Sequence, residues 1–369
     1  MTQSPPRPDS ATTRSDDDAP DTDAAGISAP DTDEGPDPSA PPRRRRGRRD
    51  NGDLTPIASL LRWVGGLLSV MIFLVTVAGF GFYRYFDQRI NRVALHLGTH
   101  RPAPAPPGDV NYLLVGTDSR AGTDGEYGSA AGQRSDTTIL AHLDQNGTTT
   151  MVSFPRDMWV DIPGHGMGKI NTAISTGGPS LLVSTIEQLT DITIDHYVSV
   201  DLAGFKAMTN AIGSVTVCVA PLPAARRDAG FNNLADHYSG WSGHVGLNRL
   251  DGDQALSFVR QRHGLPGGDL DRIRRQQQFI GAVFRKATGT GVLTNPSRLE
   301  GLLATVTSAV TVDNGTNLSD LRRLATRLRG LDASKIQFMT VPTYIPTPAD
   351  GANDLGEIQV GGQRMAVEL

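Results

Sequence analysis

The sequence predicts a mixed-sheet α/β domain carried behind one membrane-spanning helix. Three observations lead there. From residue 110 onward, runs with strand character alternate with runs of helical periodicity, the pattern of an α/β domain. Two of the strand-like runs are joined by Asp144-Gln145-Asn146-Gly147, and Asn-Gly favours a tight hairpin, so at least one strand pair is antiparallel. The run Trp63–Tyr83, WVGGLLSVMIFLVTVAGFGFY, carries no charge for roughly 20 residues, the length of a bilayer-crossing helix.

The chain has 369 residues and a formal net charge of −4, with 38% hydrophobic residues. That is enough for one large domain or two small ones. Its average hides a sharp asymmetry. Residues 1–53 hold almost no large apolar side chains; ten acids precede residue 40, and Arg43–Arg46 with Arg48 and Arg49 follow. Such a segment cannot bury enough apolar surface to offset the entropy of ordering, and a disordered tail over 1–56 is expected. The arginine run has no folded reader and no wider basic surface around it, so nucleic acid is not an expected partner. Single Cys218 excludes an internal disulfide, and with no Cys/His cluster a structural zinc site is not expected.

The membrane helix is placed at 57–83. Arg62 snorkels at one end, and Trp63 on one side with Phe82, Tyr83, Tyr85 and Phe86 on the other mark the interfaces. The arginines on the N-terminal flank orient the N-terminus toward the cytoplasm and the C-terminal bulk outside. A cleaved signal peptide fits less well, because the charged and apolar regions are too long and no small-x-small site follows directly. A buried core helix would show a polar face, which this run lacks.

Residues 84–98 read as a short helical stalk, and the Pro-rich 101–108 as a stiff spacer. The folded domain is expected over 109–345, with a weakly patterned tail over 346–369. Strands are expected at Val110–Val115, Thr138–Leu143, Thr149–Phe154, His196–Val200, Val215–Val219 and Ile336–Val341. Helices are expected at Pro179–Leu189, Leu202–Ile212 (capped by Asp201, with Gly213 past its end), Asp251–Phe258, Asp269–Thr288, 296–309 and 318–329. Residues 221–250, rich in Gly, Asn and Asp, read as loop.

Chemistry concentrates in two regions. Thr117-Asp118-Ser119-Arg120, Arg134-Ser135-Asp136-Thr137 and Pro155-Arg156-Asp157 each abut a strand and pair arginine with aspartate. Ligands of open α/β sheets sit at strand ends, and arginine with carboxylate there points to a phosphorylated ligand and a divalent cation. Alone, Asp118 or Asp136 reads as a turn or cap residue. Further on, Val259-Arg260-Gln261-Arg262-His263 runs into Gly264, Pro266 and Gly267. An extended exit from the preceding helix would turn Arg260 and Arg262 to one side. Arg272, Arg275, Gln276 and Phe279 form one helical stripe, which reads as a solvated face or as part of a site; beside the other arginines, the site reading is preferred. Guanidinium groups bind pyrophosphate oxygens in bidentate geometry and stay charged. Lys169 and Asn171 are positioned to add a charge and a hydrogen bond, and His165 reads as a loop histidine. No P-loop and no G-x-S-x-G elbow is present.

The segments LLVGTDSR, RSDTTILAHLD, VSFPRDMWVDIPGHGMGKIN, LDGDQALSFVRQRH and GDLDRIRRQQQF, in this order, resemble the LytR-CpsA-Psr family of cell-envelope glycopolymer phosphotransferases. The resemblance spans about Tyr112 to Phe279. It implies a three-layer α/β/α sandwich with an arginine-lined entrance and an apolar cavity for a polyprenyl chain. It implies Mg²⁺-dependent transfer of a glycopolymer from a polyprenyl-pyrophosphate carrier onto peptidoglycan. Carried over by position, Asp118 and Asp136 are the implied Mg²⁺ ligands. Arg120, Arg134, Arg156, Arg260, Arg262, Arg272 and Gln276 are the implied pyrophosphate binders, with Arg156, Arg260, Arg262 and Asp118 the catalytic set. Asp157 and Arg275 match with structural roles open. The apolar residues of 181–189 and 202–212, with Phe279, are candidates for the cavity wall or for plain core. The second cysteine that many relatives carry before the LDG motif is replaced here by HVGLNRLDG, so Cys218 is expected as a free, buried thiol. A carrier hydrolase and a non-catalytic membrane-anchored envelope regulator are the alternative readings, and the polymer itself is not identified by these motifs.

Overall fold

A computed structural model describes residues 56–119, 133–289, 296–317, 319–320, 323–324, 327, 335–344, 358–360 and 363–365. The expected tail before residue 56 and most of the helix expected at 318–329 lie outside the described residues. The first element is helix α1, Pro56–Asp87. Its apolar run is exposed throughout, and over Ser59–Asp87 the mean hydropathy reaches 2.2, so length and composition suit a membrane crossing.

Strand β1 (Asn91–Val93) follows almost at once. The stalk expected over 84–98 is therefore corrected: α1 stops at Asp87, and β1 joins the main sheet beside a strand more than two hundred residues away. Beyond β1, Leu95 and Leu97 pack on the core. The spacer over 101–108 is also tied down. Arg101 Nη2 meets Glu187 Oε1 at 2.5 Å and the Ile194 carbonyl at 2.7 Å, and the Thr193 hydroxyl donates to the Pro102 and Ala103 carbonyls. What composition marks as a linker is thus wrapped on the domain, because one charged residue at its start finds a buried carboxylate.

Next come β2 (Val110–Thr117), β3 (Ser135–Leu143), β4 (Thr149–Phe154), the hairpin β5 (Trp159–Ile162) and β6 (Gly166–Lys169), and helix α2 (Ala173–Thr190). Gly178 takes φ +68 at a kink in α2, and Pro179 starts the straight segment that the sequence predicts. β7 (His196–Val200), α3 (Leu202–Ile212) and β8 (Val215–Val219) follow. Asp201 caps α3 through Gly204 N, and Gly213 ends it in the left-handed conformation. The segment expected as loop over 221–250 holds α4 (Ala224–Asp228), β9 (Ala235–Asp236), β10 (Trp241–Ser242) and β11 (Gly246–Leu250), the last paired with β8. The chain then forms α5 (Gly252–Arg260), α6 (Asp269–Gly289), α7 (Pro296–Ala309), β12 (Val310–Asp313), β13 (Ile336–Thr340) and the short pair β14 (Ile358–Val360) and β15 (Gln363–Met365).

Seven strands make the main sheet in the order β1-β12-β7-β2-β3-β4-β13. β2 runs parallel to β7 and antiparallel to β3, so the sheet is mixed as expected. Alternation along the strands assigns the two faces. Leu113, Leu140 and Phe154 pack with Leu182, Val183 and Ile186 of α2. Tyr112, Ile139 and Met151 pack with Ile280 and Phe284 of α6. Helices thus cover both faces, the three-layer α/β/α arrangement.

Candidate functional site

A cavity of about 580 Å³ opens between the second face of the sheet and the helices α3, α5, α6 and α7. Its depth is apolar, with Leu114, Ile139 and Val198 from the sheet, Phe205 and Met208 from α3, and Phe279 and Val283 from α6. Its polar lining includes Asp136, Arg156, Arg260, Arg262, Arg272 and Gln276.

Each polar residue arrives by a local device. Between Gly116–Thr137 and Thr117–Ser135 the β2–β3 register slips, which leaves Asp136 as the extra residue of a bulge. Bulges re-aim side chains, and Asp136 joins the cavity lining. Arg156 follows the end of β4. α5 begins with a capping box of Asp251 and Gln254 and ends at Arg260, after which Gln261 is extended. Arg260 and Arg262 both reach the cavity, as the extended exit requires. α6 carries Arg272, Gln276 and Phe279 on a buried stripe, so the solvated-face reading of that stripe fails.

Arg156 is the hub of the charges. Its Nη1 lies 2.6 Å from Asp136 Oδ1, and its Nε lies 3.5 Å from Asp269 Oδ1 and 3.6 Å from Asp157 Oδ2. Burial alone would depress the Arg156 pKa, but Asp136, Asp269 and Asp157 outweigh it and raise it. Arg272 Nη2 meets Asp269 Oδ1 at 2.9 Å and donates to the Asp136 carbonyl at 3.2 Å. Burial leads for Arg272 and lowers its pKa despite these contacts. Asp157 is pulled below its usual value: burial opposes this, and Arg156 and Lys169, the latter at 3.0 Å, prevail. The Nε atoms of Arg156 and Arg272 are buried without a hydrogen-bond acceptor among the described residues. Buried donors of this kind want an anion.

The remaining expected residues divide. Arg134 is exposed and does not line the cavity, but its backbone N–H donates to Asp118 Oδ1 at 2.6 Å. Asp118 sits one residue past β2 and is also outside the lining. Arg120 lies outside the described residues. Arg275 turns away, against Phe258 and Trp241, and donates to the Asn233 carbonyl. Burial pulls its pKa down to about 10, and its role is to hold the 232–236 segment. Leu182, Val183 and Ile186 belong to the core on the other sheet face, so of the two readings of 181–189 plain core holds, whereas 202–212 and Phe279 do line the cavity. Cys218 is free but exposed, not buried: it points outward from β8, where the alternating strand faces solvent.

Asp118 and Asp136 each have one carboxylate oxygen engaged, by Arg134 N and by Arg156. Among the described residues no group of three or more Asp, Glu, His or Cys is placed to hold a metal by itself. One or two carboxylates completed by ligand phosphates is the ordinary Mg²⁺ arrangement, and Asp136, in the cavity lining beside the arginines, is a carboxylate of that kind. Sequence reasoning missed the rim of the cavity. Asp236, Tyr238, Ser239 and His263 line it, and the 236–239 part lay in a segment read as loop.

The LytR_cpsA_psr family model matches residues 87–360. The chain is 34% identical to LcpB of Corynebacterium glutamicum over 291 residues, covering 77% of this chain and 66% of that protein. It is 31% identical to an Enterococcus faecalis protein named polyisoprenyl-teichoic acid–peptidoglycan teichoic acid transferase TagU, covering 69% of this chain and 79% of that protein. Among solved structures, a LytR-Csp2A-Psr enzyme from Actinomyces oris superposes with a TM-score of 0.54 at 25% identity, covering 69% of this chain and 88% of that one. The chain spans 66% and 62% of the lengths of the C. glutamicum relatives LcpB and LcpA. It belongs to the LytR-CpsA-Psr family.

Proposed function

We propose that this member of the LytR-CpsA-Psr family is a phosphotransferase that moves a glycopolymer from a polyprenyl-pyrophosphate carrier onto peptidoglycan. The observation that carries the reading is one cavity with an apolar depth and an arginine-lined polar end. An amphiphile with a long hydrocarbon tail and a pyrophosphate head matches both parts. The name of the TagU relative agrees with that substrate class. α1 is the proposed single membrane anchor, with the N-terminus cytoplasmic because the arginines flank that end. The catalytic domain then meets a lipid-linked donor on the outer side.

Arg156, Arg260, Arg262 and Arg272 bind the pyrophosphate oxygens and neutralise the charge that grows on the departing phosphate. Gln276, beside them, adds a neutral hydrogen-bond donor. A sugar hydroxyl attacks the sugar-linked phosphorus, the bridging P–O bond breaks, and polyprenyl phosphate leaves with the electron pair. Asp118 and Asp136 would hold Mg²⁺, which when bound supplies Lewis-acid stabilisation of phosphoryl oxygens.

The test uses the purified full chain in detergent, a synthetic polyprenyl-pyrophosphate disaccharide and nascent peptidoglycan strands. Product linked to the strands is expected, lost with chelator and in the Arg260→Ala, Arg262→Ala and Asp136→Asn variants. Release of sugar phosphate at the same rate with or without strands would establish a hydrolase and overturn the reading. Donor binding without any turnover in Mg²⁺ would establish a carrier-binding regulator instead.

A further inference from the structure

The reaction needs a group to take the proton of the attacking hydroxyl. The arginines have no acceptor, Asp136 is shared between Arg156 and the proposed Mg²⁺, and Asp118 is outside the cavity lining. At the rim, three side chains come together that no part of the donor site uses. His263 Nδ1 lies 3.9 Å from Asp236 Oδ1, with the His263 side chain 56% exposed and that of Asp236 1% exposed. The Tyr238 ring stands 4.1 Å from the His263 ring, tilted by 36°, and Tyr238 is 74% exposed.

The support beneath them is rigid. Asp236 Oδ1 accepts from Tyr238 N at 3.0 Å, while its buried Oδ2 has no hydrogen-bond donor among the described residues. Fully buried Gln261 donates to the carbonyls of Asn232 and His263 at 3.0 and 3.1 Å. Gly264 takes φ +76, and a Cβ there would sit 2.6 Å from the Asn232 carbonyl, so only glycine allows the two segments this close. A buried carboxylate with an unused oxygen is costly, and the His263 imidazole lies 3.9 Å from the other oxygen of the same carboxylate. With the proton on Nδ1, the ring atom that faces Asp236, Nε2 would carry the free lone pair. In enzymes without substrate such base–orienter contacts are often long and tighten on binding.

We propose that His263, Asp236 and Tyr238 form the acceptor side of the site. The exposed Tyr238 ring receives the apolar face of an acceptor sugar, His263 Nε2 takes its hydroxyl proton, and Asp236 is the positioning residue that orients the imidazole. This rests on the phosphotransferase reading above. The step balances: the acceptor oxygen forms its bond to phosphorus as the bridging P–O bond breaks. The electron pair departs on polyprenyl phosphate, and the proton passes from Nε2 to solvent through the exposed side of the ring.

The experiment uses the full chain, the polyprenyl-pyrophosphate disaccharide and peptidoglycan strands. His263→Ala is expected to lose about 100-fold or more in kcat, the usual worth of a general base, with donor affinity unchanged and with partial rescue by added imidazole. Asp236→Asn is expected to lower kcat while the KM values hold, and Tyr238→Ala to raise KM for the strands alone. Transfer by His263→Ala at the wild-type rate overturns the proposal. So does a loss accompanied by weaker donor binding, or one that imidazole does not rescue. Absence of transfer by the wild-type chain overturns the phosphotransferase reading itself, an outcome separable from these.

Discussion

Replacing Arg156 by alanine tests whether the charge hub is both structural and functional. Three carboxylates lose a cation at once, but not equally. Asp157 keeps Lys169 at 3.0 Å, and Asp269 keeps Arg272 at 2.9 Å. Asp136 loses its 2.6 Å ion pair, and Arg272, which donates to its carbonyl, is left to attract the carboxylate through space. Removing one partner of a fully buried pair costs about 3–5 kcal/mol. The Asp136 side chain is 32% exposed and recovers part of its hydration, so the expected loss is about 2 kcal/mol. For a domain of this size that lowers Tm by about 4–8 °C. Transfer should fall further than stability explains, by about 100-fold or more, because a preorganised donor to the developing charge is gone. Thermal melts by circular dichroism and the transfer assay at a temperature well below both transitions read the two effects separately. An unchanged Tm would refute the charge coupling, and a destabilised variant with normal transfer would refute the catalytic role.

Two further changes probe the cavity and the main sheet. Val283→Trp places an indole in the apolar depth, and the loss of about 0.8 kcal/mol for each methylene that can no longer be buried should weaken binding of long-chain carriers at least about tenfold. Short-chain carriers should bind as before, and equal effects on both, measured across a series of lipid lengths, would place the tail elsewhere. Asp313 accepts from Tyr197 N and the Thr316 hydroxyl and faces His196; burial opposes ionisation, but these partners hold its pKa at about 2. A carboxylate depressed in the folded state stabilises fully above the unfolded value near 3.9 and loses that contribution as pH falls toward 2. Asp313→Asn should therefore cost about 1–2 kcal/mol at pH 7, with the gap to wild type closing in denaturant melts between about pH 4 and pH 2; a gap that persists at pH 2 would mean the cost is packing and not charge.

Most of the sheet could be read from the sequence because its central strands are runs of strand length rich in apolar and β-branched residues, bounded by turn signals. Asp201 with Gly213 fixes one helix by residue identity alone. β1 and β12 escaped notice for a physical reason. Each is stabilised by a partner far along the chain, and three or four residues such as Asn91–Val93 hold no periodicity of their own. The same applies to β8 and β11, where one partner lay in a segment whose Gly and Asn content reads as loop. In the site, arginines are legible because so many guanidinium groups near one another need an anion. The bulge that turns Asp136 inward leaves no local mark, and neither does the packing that sends Arg272 to the cavity and the equally buried Arg275 against Trp241 and Phe258. His263 was visible as a residue and silent as a base, since its orienting Asp236 lies 27 positions earlier on another element.

The organising element is α6. At its start Asp269 and Arg272 meet the Arg156 hub; one turn on, Gln276 stands beside the arginines; beyond that Phe279, Ile280, Val283 and Phe284 line the apolar depth. From Arg272 to Val283 the helix rises about 16 Å at 1.5 Å per residue. Polarity therefore changes from cationic to hydrocarbon along a single helix axis, and the proposed amphiphile would lie with its phosphates at the N-terminal turn. That turn also carries the positive end of the helix dipole. Arginine suits the position better than lysine would. Burial lowers the Arg272 pKa, yet a guanidinium starts so high that it remains charged at neutral pH, whereas a buried ammonium readily gives up its proton. The depth of the cavity and the permanence of its charge are thus compatible only with arginine at the junction between them.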